Sequence, residues 1–394
     1  MLSKDVVILS ATRTPLGSFQ GTLAATSAAQ LGGTAIRGAV SAAAIEPNSV
    51  STVVMGQVLS AGSGQAPARQ AALDAGLPSA VACTTINKVC GSGLEAIVQA
   101  RRALLLGEAD VAVAGGMEAM SSAPYLLPKA RDGYRIGHQQ VVDSLIRDGL
   151  WDPYNNLHMG ACAEQCATRY GFSRVQQDEF AIASFQRANA AQQAGLLATE
   201  ITPVDVKDGR GKTTRVDRDE GPGRVNYEKL PTLRPAFTPD GTITAANAST
   251  LNDGAAAVVL TTATLAATRG LKPLARIVST GVHAQDPLWF TTAPVQAARH
   301  ALAAAGWTAK DVDLWEINEA FAVVPLAFMQ ELALDPARVN VRGGAIALGH
   351  PLGASGARIV VTLLAALHER GLRRGLAALC IGGGEGIAIC VERL

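Results

Sequence analysis

The chain repeats itself, and the repeat limits the folds open to it. Gly91-Ser92-Gly93 precedes a stretch with apolar residues at Leu94, Ile97, Val98, Leu104 and Leu105, then Gly107, then a strand-like run at 110–116. Ala354-Ser355-Gly356 precedes a periodic stretch at 359–367, then Gly371, then a strand-like run at 376–383. Apolar residues three and four apart mark a helix with one buried face, and a glycine past the last of them suits its C-terminal stop. The same loop, helix, strand and glycine order in two halves predicts a duplicated, layered α/β unit.

With 394 residues, the chain has room for two or three units of roughly 150 residues each. Hydrophobic residues make up 48% and charged residues 17%, enough for a large core. Aromatics are only 4% while alanine and glycine dominate, which suits helices packed closely on sheets. A net charge of +1 points to neither nucleic acid nor an anionic membrane as partner. No run approaches the roughly 20 continuous apolar residues of a membrane span, and the N-terminal run Met-Leu-Ser-Lys-Asp-Val-Val-Ile-Leu-Ser reads as a strand start rather than a signal peptide. Cys83, Cys90, Cys162, Cys166, Cys380 and Cys390 are scattered, which predicts free thiols and a cytoplasmic location rather than a disulfide framework. Cys162 and Cys166 share a helix face, but no second ligand pair accompanies them, so no metal is expected.

The organisation has three parts. Residues 1–120 alternate strand-like and helix-like segments. A loop-rich insertion at 121–250 carries Pro124, Pro128 and Pro153, a helix near 174–195 and a charged hairpin-like stretch at 207–224. The first half resumes over 251–273, with an apolar run at 255–261, and the second half spans 274–394.

Cys90 stands in the pentad Val-Cys-Gly-Ser-Gly, just ahead of a helix start. Unpaired amides and the positive end of the helix dipole favour a thiolate there, and glycines let other groups approach. The pentad alone leaves two readings open, a nucleophile or a small buried thiol. Three further polar clusters follow apolar runs: Glu-Ile-Asn-Glu-Ala-Phe-Ala at 316–322, the glycine-rich stretch at 343–356 containing His350, and Cys-Ile-Gly-Gly-Gly-Glu-Gly at 380–386. Strand ends are where open α/β sheets place their chemistry. Together the clusters supply two thiols, an imidazole and an amide.

This combination resembles the thiolases, over essentially the whole chain. Ala-Thr-Arg-Thr-Pro-Leu-Gly-Ser-Phe at 11–19, Val-Ala-Gly-Gly-Met-Glu-Ala-Met-Ser at 113–121, His-Met-Gly at 158–160 and Asn-Ala-Ser-Thr-Leu-Asn-Asp-Gly-Ala at 247–255 match further family motifs in order. The resemblance implies a five-layer α/β/α/β/α sandwich whose insertion acts as a lid for coenzyme A. It implies Claisen condensation of two acetyl-CoA to acetoacetyl-CoA, and the reverse thiolysis, with acyl-CoA as the only partner besides other copies in a tetramer of paired dimers. No cofactor is implied beyond the thioester substrates. Cys90 takes the role of acyl carrier, His350 of its base, and Cys380 of acid and base at the substrate carbon. Asn318 would hold an oxyanion water, and backbone N–H groups of Cys90 and Gly382 would form a second oxyanion hole. His158 and Met159 resemble acyl-pocket and pantetheine contacts, and Phe237, Ala245, Ser249 and Leu251 coenzyme A contacts; Phe290, Phe321 and Arg224 complete the expected binding set.

Four departures from the family pattern stand out. Gly223 takes the place expected for a phosphate-binding arginine, with Arg224 displaced by one; Thr250 replaces a glycine; Phe290 precedes Thr-Thr-Ala-Pro where a methionine and glycines are common; and Glu385 stands where Met or Gln is usual. A carboxylate close to Cys380 would raise that thiol's pKa. Other readings within the likeness are a degradative 3-ketoacyl-CoA thiolase with a longer acyl pocket, a decarboxylating synthase of the same fold, which expects Cys-His-His in place of Asn318 and Cys380, and an acyl-CoA or lipid carrier without catalysis.

Overall fold

Strand and helix alternate in two blocks. The first holds β1 (Val6–Arg13), α1 (Ala28–Ala42), β2 (Thr52–Gly56), α2 (Pro67–Asp74), β3 (Ala82–Ile86), α3 (Ser92–Leu106) and β4 (Val111–Ala119). An insertion carrying α4 (Met159–Tyr170) and α5 (Arg174–Gln193) follows, and β5 (Asn252–Thr262) returns to the first block. The second block holds β6 (Ala275–Ala284), α6 (Ala293–Ala305), β7 (Leu314–Ile317), α7 (Val323–Leu332), α8 (Leu352–Glu369), β8 (Arg374–Ile381) and β9 (Glu385–Arg393). This computed structural model describes residues 5–207 and 211–394; the first four residues of the N-terminal run and three residues of the charged hairpin-like stretch lie outside the described residues.

The strands hydrogen-bond in the order β7-β8-β9-β6-β1-β5-β4-β2-β3. The two halves meet along a short seam: β1 and β6 pair only at Val7 with Arg276 and Ile8 with Ala275. Every residue of β4 is buried, as are all but the last of β5. Such strands are covered on both faces and read as continuous apolar runs rather than as alternating ones.

Three apolar cores define the layers. One, around Leu31, Ile36, Val53 and Val259, lies between α1, α2 and the first half of the sheet. Another, around Ala297, Trp315 and Phe328, lies under α6 and α7. Between the halves sits the third, in which α3 (Leu94, Ile97) and α8 (Leu363, Leu367) pack against strand residues of both, such as Val258 and Ile389. Helix, sheet, helix, sheet, helix is the expected sandwich. The length and apolarity of α8 follow from this central position, since most of it is buried.

Glycine sets how closely the central layer packs. A Cβ on Gly93 would lie 2.8 Å from the Ala357 amide nitrogen and 2.9 Å from the Gly353 carbonyl. One on Gly356 would lie 2.4 Å from the Leu94 nitrogen, and one on Gly116 only 1.9 Å from the Gly353 carbonyl. Thus α3 and α8 cross backbone to backbone at the last glycine of each repeated triad. Gly353 has no room either: its Cβ would meet Gln57 Cα and the Met117 carbonyl at 2.8 Å. Sequence periodicity located α8 only from residue 359, because its first turns are these small residues.

The insertion holds short two-stranded ribbons, among them Tyr125–Leu126 with Val142–Asp143 and Val204–Lys207 with Thr213–Val216. Helix α5 begins at a capping box formed by Ser173 and Gln176. A buried ionic node anchors the insertion: Arg13 of β1 binds Glu200 and Asp219 at 2.7 Å each, and Glu200 also meets Arg342 of the second half.

Alanine normally favours a helix over glycine by about 1 kcal/mol. At Gly93 the sign should reverse, because the added carbon meets backbone that cannot step aside. Gly93→Ala is expected to cost about 1–3 kcal/mol, read as a lowered urea midpoint; a raised midpoint would mean the helices do not touch there.

Candidate active site

The chain turns sharply between β3 and α3. Val89 has φ +46°, a conformation in which a β-branched side chain is strained. Neighbouring bonds hold it there. The Val89 N–H donates to Asn87 Oδ1 at 2.9 Å, the Lys88 N–H to Ser92 Oγ at 2.8 Å, and the Ser92 hydroxyl to the Val89 carbonyl at 2.6 Å. The turn presses on the end of β8, since a Cβ on Gly91 would fall 2.4 Å from Ile381 Cδ1. Cys90 stands at its tip, half-buried. Its own N–H and that of Gly382 lie near its sulfur.

Burial pushes the Cys90 thiol up to about 12; the two amides pull it down and nearby Glu118 pushes it further up. This corrects the sequence expectation that the helix start favours a thiolate. Desolvation of a charged sulfur outweighs the dipole and the amides.

His350 is buried in the loop leading into α8. Its Nδ1 lies 2.5 Å from Ser355 Oγ, which lies 2.9 Å from the Pro351 carbonyl. A carbonyl only accepts, so the serine donates its single hydrogen to Pro351 and accepts from Nδ1–H. The relay leaves Nε2 as the acceptor of the ring. Burial, and then Arg358, pull His350 down to about 3, so it is a neutral imidazole. Asn318 Nδ2 stands 3.5 Å from Nε2. Asn318 Oδ1 is buried with no protein partner, an acceptor available to a hydroxyl or water.

Cys380 is buried near the end of β8, and its thiol is pushed well above the ordinary range by burial and then by Cys90. The two sulfurs therefore share one locale. The Asn318 N–H donates to the Ala378 carbonyl at 3.0 Å, fixing the amide beside the strand that carries Cys380. Glu385 does not press on Cys380; its carboxylate pairs with Lys88. Cys90 thus lies near Cys380 and Gly382, and Asn318 links His350 to the strand that carries Cys380, so the expected set draws on both halves.

Sequence reasoning missed Glu118. It lies in the matched motif at 113–121, a carboxylate inside an otherwise apolar strand, and that contrast is the signal that could have found it. Buried, it accepts N–H groups from Val58 at 3.0 Å, Leu59 at 3.2 Å and Gly353 at 2.9 Å. It ties the His350 loop to the first half, and burial pushes it up to about 7.

The expected binding residues divide. His158 stacks on Phe237 with centroids 4.8 Å apart, Phe237 meets Phe321 edge-on at 5.9 Å, and Phe321 meets Phe290 at 6.4 Å. Met159 borders Gly382, its methyl 3.7 Å from where a Cβ would begin. Leu251 packs with Cys90 on Val58, Leu59 and Leu352. The Ser249 N–H donates to the Ala320 carbonyl at 3.0 Å, beside the bridge joining Ala248 to Phe321. Ala245 lies exposed in the turn before it. Thr250 donates to Asn252 Oδ1 at 2.7 Å, and its carbonyl accepts the His350 N–H at 3.3 Å, so the unusual residue seats the histidine loop. Arg224 is not in this group: exposed, it pairs with Glu220. Gly223 has φ +88°, the left-handed conformation that glycine adopts freely. Cys162 and Cys166 are buried in α4, and among the described residues no group of three His, Cys, Asp or Glu could hold a metal.

Family models for the thiolase N-terminal domain and thiolase C-terminal domain match residues 6–264 and 271–393. The acetyl-CoA acetyltransferase of Cupriavidus necator is 52% identical over 390 residues, covering 99% of each chain. That of Pseudomonas aeruginosa is also 52% identical, over 391 residues, covering 99% of this chain and 100% of its own. Among solved structures, a thiolase from Ascaris suum in complex with coenzyme A superposes with TM-score 0.94 at 45% identity, covering 99% of this chain and 100% of its own. The acetyl-CoA acetyltransferase of Bacillus anthracis superposes with TM-score 0.97 at 42% identity over the full length of both.

The relay and burial at His350 make a spectroscopic prediction. Nitrogen-15 NMR of the folded protein should show His350 as the neutral Nδ1–H tautomer at pH 5, where an exposed histidine is charged. A midpoint for this ring near 6.5 would contradict the burial argument. Ser355→Ala should give mixed tautomers at unchanged pH.

Proposed function

The chain belongs to the thiolase family, and from that premise we infer that it is an acetyl-CoA C-acetyltransferase, joining two acetyl-CoA into acetoacetyl-CoA plus coenzyme A and running the reverse thiolysis. The observation that supports the assignment of roles is the meeting of two thiols from opposite halves, with the Gly382 amide beside Cys90.

Cys90 attacks the first thioester while His350 Nε2 takes its proton. A thiol raised to about 12 is not ionised at rest, so proton transfer accompanies attack. The oxyanion lies against the N–H groups of Cys90 and Gly382, a donor pair in which each member is worth about 3 kcal/mol. Coenzyme A leaves as its thiolate and is protonated by Cys380. Acetyl-Cys90, a Cys380 thiolate and a His350 imidazolium remain, so the ionic pair is created during the reaction. The second acetyl-CoA places its carbonyl oxygen toward His350 Nε2–H and a water held by Asn318. Cys380 takes a proton from the methyl carbon, and the enolate attacks the acetyl group. Collapse expels Cys90, which regains its proton from His350. All three groups return to their starting states.

The reading includes a short acyl pocket, closed beside Met159 by Phe237, Phe290 and Phe321. It uses no cofactor beyond the coenzyme A thioesters, and places the protein in the cytoplasm, in fatty acid metabolism. It includes a homotetramer, a dimer of dimers assembled through the insertion; exposed Tyr125, Leu127, Tyr134, Ile136 and Val141 in that segment support this.

Cys90→Ala should leave no acetyl adduct after incubation with acetyl-CoA, read by mass spectrometry; an adduct elsewhere in the site would remove Cys90 from its role. Cys380→Ser should still acetylate at Cys90 but lose about 10²–10⁴-fold in carbon–carbon bond cleavage. Equal loss of both half-reactions would refute the division. Steady-state thiolysis should favour acetoacetyl-CoA over a C8 ketoacyl-CoA in kcat/KM; the reverse order would indicate the broader, degradative enzyme.

A further inference from the structure

The Lys88–Glu385 ion pair joins the two loops that make the acetylation site. Lys88 lies two residues before Cys90, in the strained turn, with its N–H bound to Ser92 Oγ at 2.8 Å and its carbonyl accepting from the Gly91 N–H at 3.0 Å. Glu385 opens β9 and pairs with Ile381 of β8 across a tight turn. Gly382 lies within that turn, followed by Gly383 at φ +90° and Gly384 at φ +87°. The two turns lie against each other, since a Cβ on Gly382 would stand 3.5 Å from Val89 Cγ1 and one on Gly91 2.4 Å from Ile381 Cδ1; this holds the Gly382 amide near the Cys90 sulfur, while the ion pair bridges the same two segments on the outside. The Lys88 and Glu385 side chains are 24% and 37% exposed.

We propose that Lys88 and Glu385 are positioning residues that clamp the Cys90 turn to the Gly382 turn and so set the distance between nucleophile and oxyanion amide. Two observations separate this from a surface ion pair of little consequence. Both ends are rooted in backbone already fixed by other bonds, so little additional order is required. The turn they brace is strained at Val89, and its conformation persists only where its surroundings hold it. The inference rests on acetyl-Cys90 as the intermediate.

The test measures pre-steady-state acetylation of Cys90 and, separately, its alkylation by iodoacetamide. Lys88→Met and Glu385→Gln should each slow acetylation about tenfold, with KM for acetyl-CoA within about twofold of wild type. The double variant should be no slower than the slower single, since each single already breaks the shared interaction. Lys88→Glu with Glu385→Lys should recover part of the rate, which distinguishes lost alignment from a damaged fold. A role in tuning the thiol's charge would move alkylation in opposite directions for the two singles; a geometric role moves it the same way in both. Singles within twofold of wild type, multiplicative losses in the double variant, or opposed alkylation effects would each overturn the clamp. Wild-type protein that fails to acetylate at Cys90 would instead overturn the functional reading, while alkylation still reports on the turn.

Discussion

Direct backbone contact between α3 and α8 is the constraint on which the site depends. Gly93 and Gly356 remove the two Cβ atoms that would hold the helices apart. With both helix starts brought together, the loops before them converge, and those loops carry Cys90 and His350. The price of this contact is an almost side-chain-free crossing, and it explains why small residues dominate a chain with so large a core.

The same enclosure sets the electrostatics. Cys90, Cys380 and His350 are all driven toward their neutral forms by desolvation. A sequence argument from the helix dipole alone reaches the opposite answer for Cys90, because a dipole contributes about 0.3–1 kcal/mol whereas removal from water shifts a buried group by up to several pKa units. Groups kept neutral at rest exchange protons only when substrate supplies the partner charge. Burial therefore protects the thiols as well as tuning them.

Much of this was legible beforehand, for identifiable reasons. The repeat gave the central helices and strands because amphipathic spacing and glycine stops are local signals. The catalytic set came from polar residues interrupting apolar runs. What was not legible depends on partners distant in sequence. Glu118 looks like a stray acid until the amides of Val58, Leu59 and Gly353 surround it. Glu385 reads in sequence as a neighbour of Cys380, yet its partner, Lys88, lies 297 positions away. The two halves were expected as separate units, and the two-residue seam between β1 and β6 has no sequence signature at all.

Register between the two copies puts Gly353 opposite Cys90, each immediately before its triad. The packed backbone around Gly353 forbids any side chain there. A second cysteine at Gly353 would drive its side chain into the Gln57 and Met117 backbone, so the crossing accepts sulfur from only one of the two copies. The asymmetry that lets a single reaction centre exist is thus a matter of space before it is a matter of chemistry.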